Sequence, residues 1–387
     1  MKKWLYGALA LLVVAALAFF ALAPGMTERS MNKVVPVPLK ITPQARALHA
    51  RLQIADMHAD TMLWNRDLLA RSGRGQVDLP RLQDGNVALQ IFSSVSKTPK
   101  GQNYDANSAD SDNITMLAMA QLQPVRTWTS LLQRSLWHAA KLDRAAAASQ
   151  GEFRVIRTAA ELDALLAARA RGQKIVGGML SIEGLQDLEG KLSNLDTLYA
   201  AGFRMAGMAH FFDNEVAGSM HGEAKGGLTP LGRQVIARME ALGMVVDIAH
   251  ASHATVAEIL RIATRPVVAS HGGVQATCAV NRNLTDAEIR GVAATGGVVG
   301  IGYWEAAICG TTPARVALVI AHVRDVAGID HVGLGSDFDG AVTTGFDTGQ
   351  LAAVTQALVD RGFSDGDVAK VMGTNVLRVL RAGIVPR

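Results

Sequence analysis

The sequence predicts an α/β protein of the (β/α)8 TIM-barrel class, preceded by an N-terminal transmembrane or signal helix. Three observations carry that prediction. Eight short apolar runs alternate with helix-like segments. A polar residue capable of chemistry closes nearly every run, and a separate stretch, Trp4 to Ala23, is apolar and free of charge. A doubly wound open sheet is the alternative. Such a sheet gathers its site at one switch point, whereas a barrel opens every strand C-terminus onto one face.

The eight runs are Leu52 to Asp60, Val87 to Ser93, Ile175 to Ile182, Met205 to Ala209, Met244 to Ile248, Pro266 to Ser270, Gly297 to Tyr303 and Val332 to Ser336. Helix starts are legible between them. Asp78 precedes Leu79 and Pro80, Thr229 precedes Pro230, and Thr158 with Glu161, Thr285 with Glu288 and Ser364 with Asp367 form capping-box patterns. Gly202, Gly243 and Gly328 stand where a left-handed residue ends a helix. The largest excursion between strands, Lys97 to Lys174, carries apolar residues at helical spacing from Asn113 to Ala148 and is a candidate pocket wall or subunit contact.

With 387 residues and 49% hydrophobic content, the chain can bury the core of one large domain. A net charge of +4 without a basic stripe interleaved with aromatics gives no sign of a nucleic-acid partner. Lys2 and Lys3 precede the apolar stretch, which is long enough to span a bilayer. Ala21, Leu22 and Ala23 imitate a signal-peptide cleavage site, but Pro24 follows directly. Residues 1–25 therefore read as a signal anchor in preference to a cleaved signal peptide, with the cationic end left in the cytoplasm. On either reading the rest is exported, facing the periplasm from the inner membrane or secreted. Residues 26–42, with Pro36 and Pro38, read as a tether, and 43–387 as the (β/α)8 barrel domain. Two cysteines, Cys278 and Cys309, exclude a disulfide framework. The expectation is two buried thiols, a single bridge being the alternative in an oxidising compartment.

In chain order the strand ends offer His58 with Asp60, Glu183, His210, His250, His271 and Asp337. His58 and Asp60 are two residues apart on a strand and share a face. Each residue alone has an ordinary reading, as a hydrogen-bonded scaffold histidine or a capping carboxylate. Together they would crowd isolated charges into one mouth, which is costly unless they are paired or metal-bound. Imidazoles with carboxylates suit zinc, and this set can hold two divalent ions ~3.5–4 Å apart with one carboxylate between them. The remaining histidines, His49, His138, His221, His253, His322 and His331, read as surface or packing residues, with His221 and His253 flanking the site.

The motifs "DMHAD", "SIEG", "AHFFDN", "DIAHAS", "SHGG" followed by "NRN", and "GLGSDFDG" resemble the membrane dipeptidase family, also called renal dipeptidases, from about Gln53 onward. The resemblance implies two Zn2+ ions per chain. Glu183 bridges them, His58 and Asp60 serve one, and His250 and His271 serve the other. It further implies that His210 contacts the substrate, that Arg282 holds its free carboxylate and that Asp337 handles protons, with a homodimer compatible. The implied reaction is hydrolysis of dipeptides by a metal-bridging hydroxide. Asp56 and Asp339 read as groups that orient ligands. Gly272, Gly273 and Asn281 depart from the family pattern and put side-chain preference in question.

Two other functions compete. Another binuclear hydrolase of the wider superfamily, acting on cyclic amides, lactones, β-lactams or phosphotriesters, would show two histidines on strand one and a bridging lysine on strand four. Here those places hold His58 with Asp60, and His210. A catalytically silent, membrane-tethered binding module would not need the complete ligand set.

Overall fold

Eight parallel strands form a closed ring in this computed structural model, which describes residues 2–384. Met1 and residues 385–387, the outer ends of segments 1–25 and 43–387, lie outside the described residues. The strands are β1 (Ile54–Ala59), β2 (Val87–Val95), β3 (Val176–Glu183), β4 (Phe203–Gly207), β5 (Val245–Asp247), β6 (Val267–Ala269), β7 (Val298–Ile301) and β8 (Val332–Leu334). Each pairs with its successor, and Leu334 of β8 pairs with Asp56 of β1. That last pairing closes the ring and excludes the open sheet. A three-residue strand, Phe153–Val155, adds to β3 outside it.

Helices cover the strands, so the strands are buried along their whole length and read as continuous apolar runs. Inside the ring Ala55, Met57, Leu89, Ile91, Met179 and Met205 form one core, closed by Val376 and Leu380 of the last helix. Burying each large apolar side chain there is worth about 1.5–3 kcal/mol. The expected caps form: Asp78 accepts from the Arg81 amide, and Thr158 with Glu161 and Thr285 with Glu288 complete capping boxes. Gly202, Gly243 and Gly328 all have positive φ.

Two expectations change. The apolar stretch belongs to a longer helix, α1 (Lys2–Met31), that runs through Pro24. What read as a tether lies against the barrel: Lys33 and Val34 pair with Thr343 and Thr344, and the Val35 and Val37 amides donate to Thr344 and Gly345. Glu28 is buried and ion-paired to Arg66 and Arg74. Composition hid this, because the clasp depends on partners distant in the chain, Arg66 and Arg74 for Glu28, and Thr343 and Thr344 for Lys33 and Val34. Second, Cys278 and Cys309 are joined in a disulfide rather than reduced, with Cα atoms 5.4 Å apart. The β6–β7 and β7–β8 loops that carry them fold onto each other, which spacing alone does not reveal.

Candidate active site

The C-terminal mouth of the barrel collects the strand-end side chains around Glu183. Its Oε1 lies 2.9 Å from His250 Nε2, 3.4 Å from His271 Nε2 and 3.5 Å from His210 Nε2. Its Oε2 lies 3.6 Å from His58 Nε2. His58 Nε2 is in turn 3.4 Å from Asp60 Oδ1 and 3.8 Å from Asp337 Oδ1. All seven side chains are buried. Their ligand atoms form three overlapping sets, each within 4.8 Å: His58, Glu183 and His271; Glu183, His210 and His250; His58, Asp60 and Asp337.

This donor set fits divalent cations. His58 Nε2, Asp60 Oδ1 and Glu183 Oε2 are buried without a hydrogen-bond partner and converge on one point. Nearby, His250 Nε2 and His271 Nε2 are 2.9 Å apart and both face Glu183 Oε1. Lone pairs set that close repel unless a cation or proton lies among them, and imidazole with carboxylate suits a divalent metal. Ser270 Oγ, 2.9 Å from His271 Nδ1, takes the other ring proton and leaves Nε2 free to ligate.

Charge balance follows the same pattern. Burial pushes His210, His250 and His271 down, acting against the charged form of each ring. Burial acts on His58 in the same sense, but the Glu183 and Asp60 charges outweigh it and raise it. For Glu183, burial opposes ionisation, yet His210 and His58 hold its carboxyl well below the usual range. Asp337 is pushed well above the usual range by burial, and Asp60 to about 6 by burial and the Glu183 charge. Neighbouring carboxyls with separated proton affinities are the usual basis for dividing ligand and proton-carrier roles.

His250 and Asp337 hold φ of 62° and 60°, in the left-handed region that is uncommon for non-glycine residues and that His and Asp enter more readily than most. The Asp247 carboxylate fixes the ends of β5 and β6 by accepting from the Ala249 and Ser270 amides at 3.0 and 2.8 Å. Ser219 Oγ ties the carbonyls of His210 and His250. Asp56 accepts from the His58 amide and from Ser336, joining β1 to β8, and Asp339 accepts from Thr61 and the Gln76 amide. Neither belongs to the ligand sets.

Arg282 is buried beside the cluster, with Nη2 3.3 Å from His250 Nε2 and its guanidinium 4.7 Å over the Trp304 ring. Its Nε and Nη1 have no protein partner. Gly272 leaves room for it, since a Cβ there would come 3.2 Å from Nη1, and Gly273 lies so close to the Ala307 carbonyl that no side chain fits. Asn281 donates to the Tyr104 carbonyl at 2.6 Å and fastens that loop over the mouth. The resulting cavity, ≈ 390 Å3, is lined by Asp60, Glu183, His210, His250, Arg282 and Asp337 and by an apolar rim.

The long β2–β3 excursion, expected as a candidate pocket wall, lines the cavity through Tyr104, Ile114 and Leu117, whereas Thr27 and Met31, from the presumed tether, were not foreseen. Trp304 had a signal, since it follows the seventh apolar run directly. Of the other histidines, His221 is buried, stacked on Phe211 and 5.2 Å from the His250 ring. His49 and His138 are buried packing residues, and His253 and His322 pair with Glu288 and Asp286 nearer the surface.

A closed parallel barrel whose mouth presents a metal-ready cluster of imidazoles and carboxylates defines a metallohydrolase architecture. A model of the membrane dipeptidase family, peptidase family M19, matches residues 42–383. Dipeptidase aclJ of Aspergillus oryzae is 30% identical over 392 residues, 96% of this chain and 86% of that protein. Dipeptidase tcpJ of Claviceps purpurea is 30% identical over 319 residues, 79% of this chain and 69% of that protein. Among solved structures, the probable dipeptidase PvdM from Pseudomonas aeruginosa superposes with a TM-score of 0.73 at 20% identity, covering 88% of this chain and 97% of that one. The dipeptidase AC, an M19 metallopeptidase, gives 0.68 at 25%, covering 86% and 98%. The chain belongs to the membrane dipeptidase family and is a dipeptidase by class.

Proposed function

We propose that this protein is a binuclear zinc dipeptidase that cleaves dipeptides carrying a free C-terminal carboxylate. The observation that carries this reading is the meeting, in one cavity, of the Glu183-centred ligand cluster with two unpartnered Arg282 donors. His58 and Asp60 would hold one zinc, His250 and His271 the other, with Glu183 between them. When bound, the metal pair supplies a water acidified to near neutral pKa and polarises the scissile carbonyl.

The side chains provide the rest. Arg282 receives the substrate carboxylate through charge-assisted hydrogen bonds and so fixes which peptide bond meets the cluster. His210, buried and facing Glu183 Oε1, stands ready to donate to the developing oxyanion. Asp337, with a raised proton affinity, takes the proton from the attacking water and returns it to the leaving amine.

The proposed setting is the outer side of a membrane, with α1 as anchor. Residues 2–31 form a helix long and apolar enough to cross a bilayer, and the Cys278–Cys309 disulfide agrees with an oxidising compartment. The test is purified full-length protein assayed on a panel of dipeptides, with and without chelator, alongside metal analysis. The expected result is chelator-sensitive hydrolysis, two zinc ions per chain and no cleavage of C-terminally amidated analogues. Hydrolysis indifferent to metal removal would overturn it.

A further inference from the structure

The apolar helix does not stop short of the barrel. α1 is uncharged from Trp4 to Thr27, its next residue Glu28 is locked into the barrel, and Thr27 and Met31 border the active-site cavity. At 1.5 Å per residue, Thr27 and Met31 lie about 6 and 12 Å along the axis from Ala23. The headgroup layer beyond each edge of the hydrocarbon is about 5–7 Å thick. A bilayer spanned by α1 therefore brings Thr27, on the near edge of the cavity rim, to the level of the headgroups, with Met31 about one helical turn beyond.

An independent feature marks the same side. α2 (Asn113–Ala120) packs against α1 and lends Ile114 and Leu117 to the cavity. Among the described residues, the large apolar side chains left exposed outside positions 4–35 are Met116, Leu122 and Val125, at 64%, 68% and 68%. All three belong to α2 and the turn that follows. Met116, two residues from Ile114, is turned about 200° around the helix from it, away from the cavity. Arg126 follows, exposed and cationic. Scattered apolar side chains on a surface need no explanation, but a group beside a membrane-length helix has one. Apolar tips with an adjacent arginine are what an interfacial segment presents to a bilayer.

We propose that the segment bearing Met116, Leu122 and Val125 rests in the headgroup–acyl boundary of the bilayer that α1 spans, so that the active site opens at the membrane surface. The inference rests on the anchoring reading given above. It turns α1 from a leash into a fixed mount, because the ion pairs of Glu28 continue the helix into the rim.

The test uses the full chain in lipid nanodiscs, labelled singly with an environment-sensitive fluorophore at Leu122→Cys, Gln173→Cys or Leu12→Cys. Cys278 and Cys309 are joined and do not react with the label. Leu122 and Gln173 are exposed, so neither substitution disturbs the core, and Gln173 precedes β3 at the opposite end of the barrel. With lipid carrying a nitroxide near the headgroup, the position-122 probe should lose about half its emission or more, while the position-173 probe keeps its own. A position-122 probe that stays bright, while the position-12 probe is quenched by a deep nitroxide, overturns the proposal and leaves the anchor standing. Absence of quenching at position 12 removes the anchor and the proposal together. A blue shift at position 122 without quenching means that a second protein copy covers the segment, which also overturns it.

Discussion

Glu28 Oε1 accepts from Arg66 Nε at 2.5 Å, with both side chains buried, so the end of the apolar helix is bolted to the loop after the first barrel strand. Glu28 Oε2 takes a second bond from Arg74 Nε, also at 2.5 Å. Arg66 in turn reaches the Val77 carbonyl and Asp339, which holds the Gln76 amide. Glu28→Ala leaves Arg66 buried with Asp339 as its remaining charge partner, so the loss should stay below the ~3–5 kcal/mol that stranding a buried charge costs. Arg74 is partly exposed and adds little. Chemical denaturation should show the midpoint falling accordingly. An unchanged midpoint would mean that the clasp contributes nothing to the fold.

Glu183→Gln keeps the size of the side chain but replaces one carboxylate oxygen by an amide that donates. The two oxygens face different ligand sets, so whichever position the amide takes, one set loses an anionic ligand oxygen. Changes to groups merely supporting ligands already cost about 10–100-fold in metal affinity or activity. The bound metal measured by elemental analysis should drop, with turnover at background. Retained turnover with full metal content is the result this assignment does not survive.

Arg282→Ala removes a guanidinium whose Nε and Nη1 have no partner in the protein. Hydrogen bonds to charged groups contribute about 1.5–3 kcal/mol, which converts to roughly tenfold to a hundredfold in KM for free-carboxylate dipeptides. Substrates whose C-terminus is amidated should be affected far less. Equal losses on both would show that Arg282 only supports the Trp304 wall.

Much of the ring could be read in the sequence because parallel strands covered on both faces leave uninterrupted apolar runs, and all eight fell within a few residues of their predicted places. The ligand cluster was legible for a related reason. Each polar residue ending a run, from His58 to Asp337, had one place to go once the ring closed. What stayed hidden depends on contacts between loops. Glu28 has no local sign of meeting Arg66, and Tyr104 reaches the mouth through Asn281, almost two hundred positions away. The wall of the pocket is therefore less predictable than its floor.

The Cys278–Cys309 bridge spans 31 residues and ties the loop carrying Arg282 to the turn after Trp304. In the chain-entropy account, closing a loop of that length stabilises the fold by about 3–4 kcal/mol. The double substitution Cys278→Ser with Cys309→Ser should lower the thermal midpoint. It should also raise KM, since Arg282 and Trp304 are stacked across the same junction. A variant with the wild-type midpoint would show that packing alone holds these loops.

Met31 bears on substrate choice. Arg282 belongs to the loop after β6, and in an eight-membered ring the loop after β2 stands across the mouth from it. That opposite side carries Ile114 and Leu117, flanked by Leu63, Trp64 and Met31. On the proposed binding mode, a dipeptide held by its carboxylate at Arg282, with its peptide bond at Glu183, would point its N-terminal side chain at an apolar rim. One methylene more or less in such a pocket is worth about 1–3 kcal/mol, or 10–200-fold in kcat/KM. Dipeptides with a leucine or phenylalanine first should thus outrun those with glycine first. Met31 is 43% exposed, so Met31→Glu leaves the fold intact. The variant should lower kcat/KM for the bulky substrates by about tenfold while changing glycine-first substrates little. If both classes fall together, Met31 has no part in selecting the N-terminal residue.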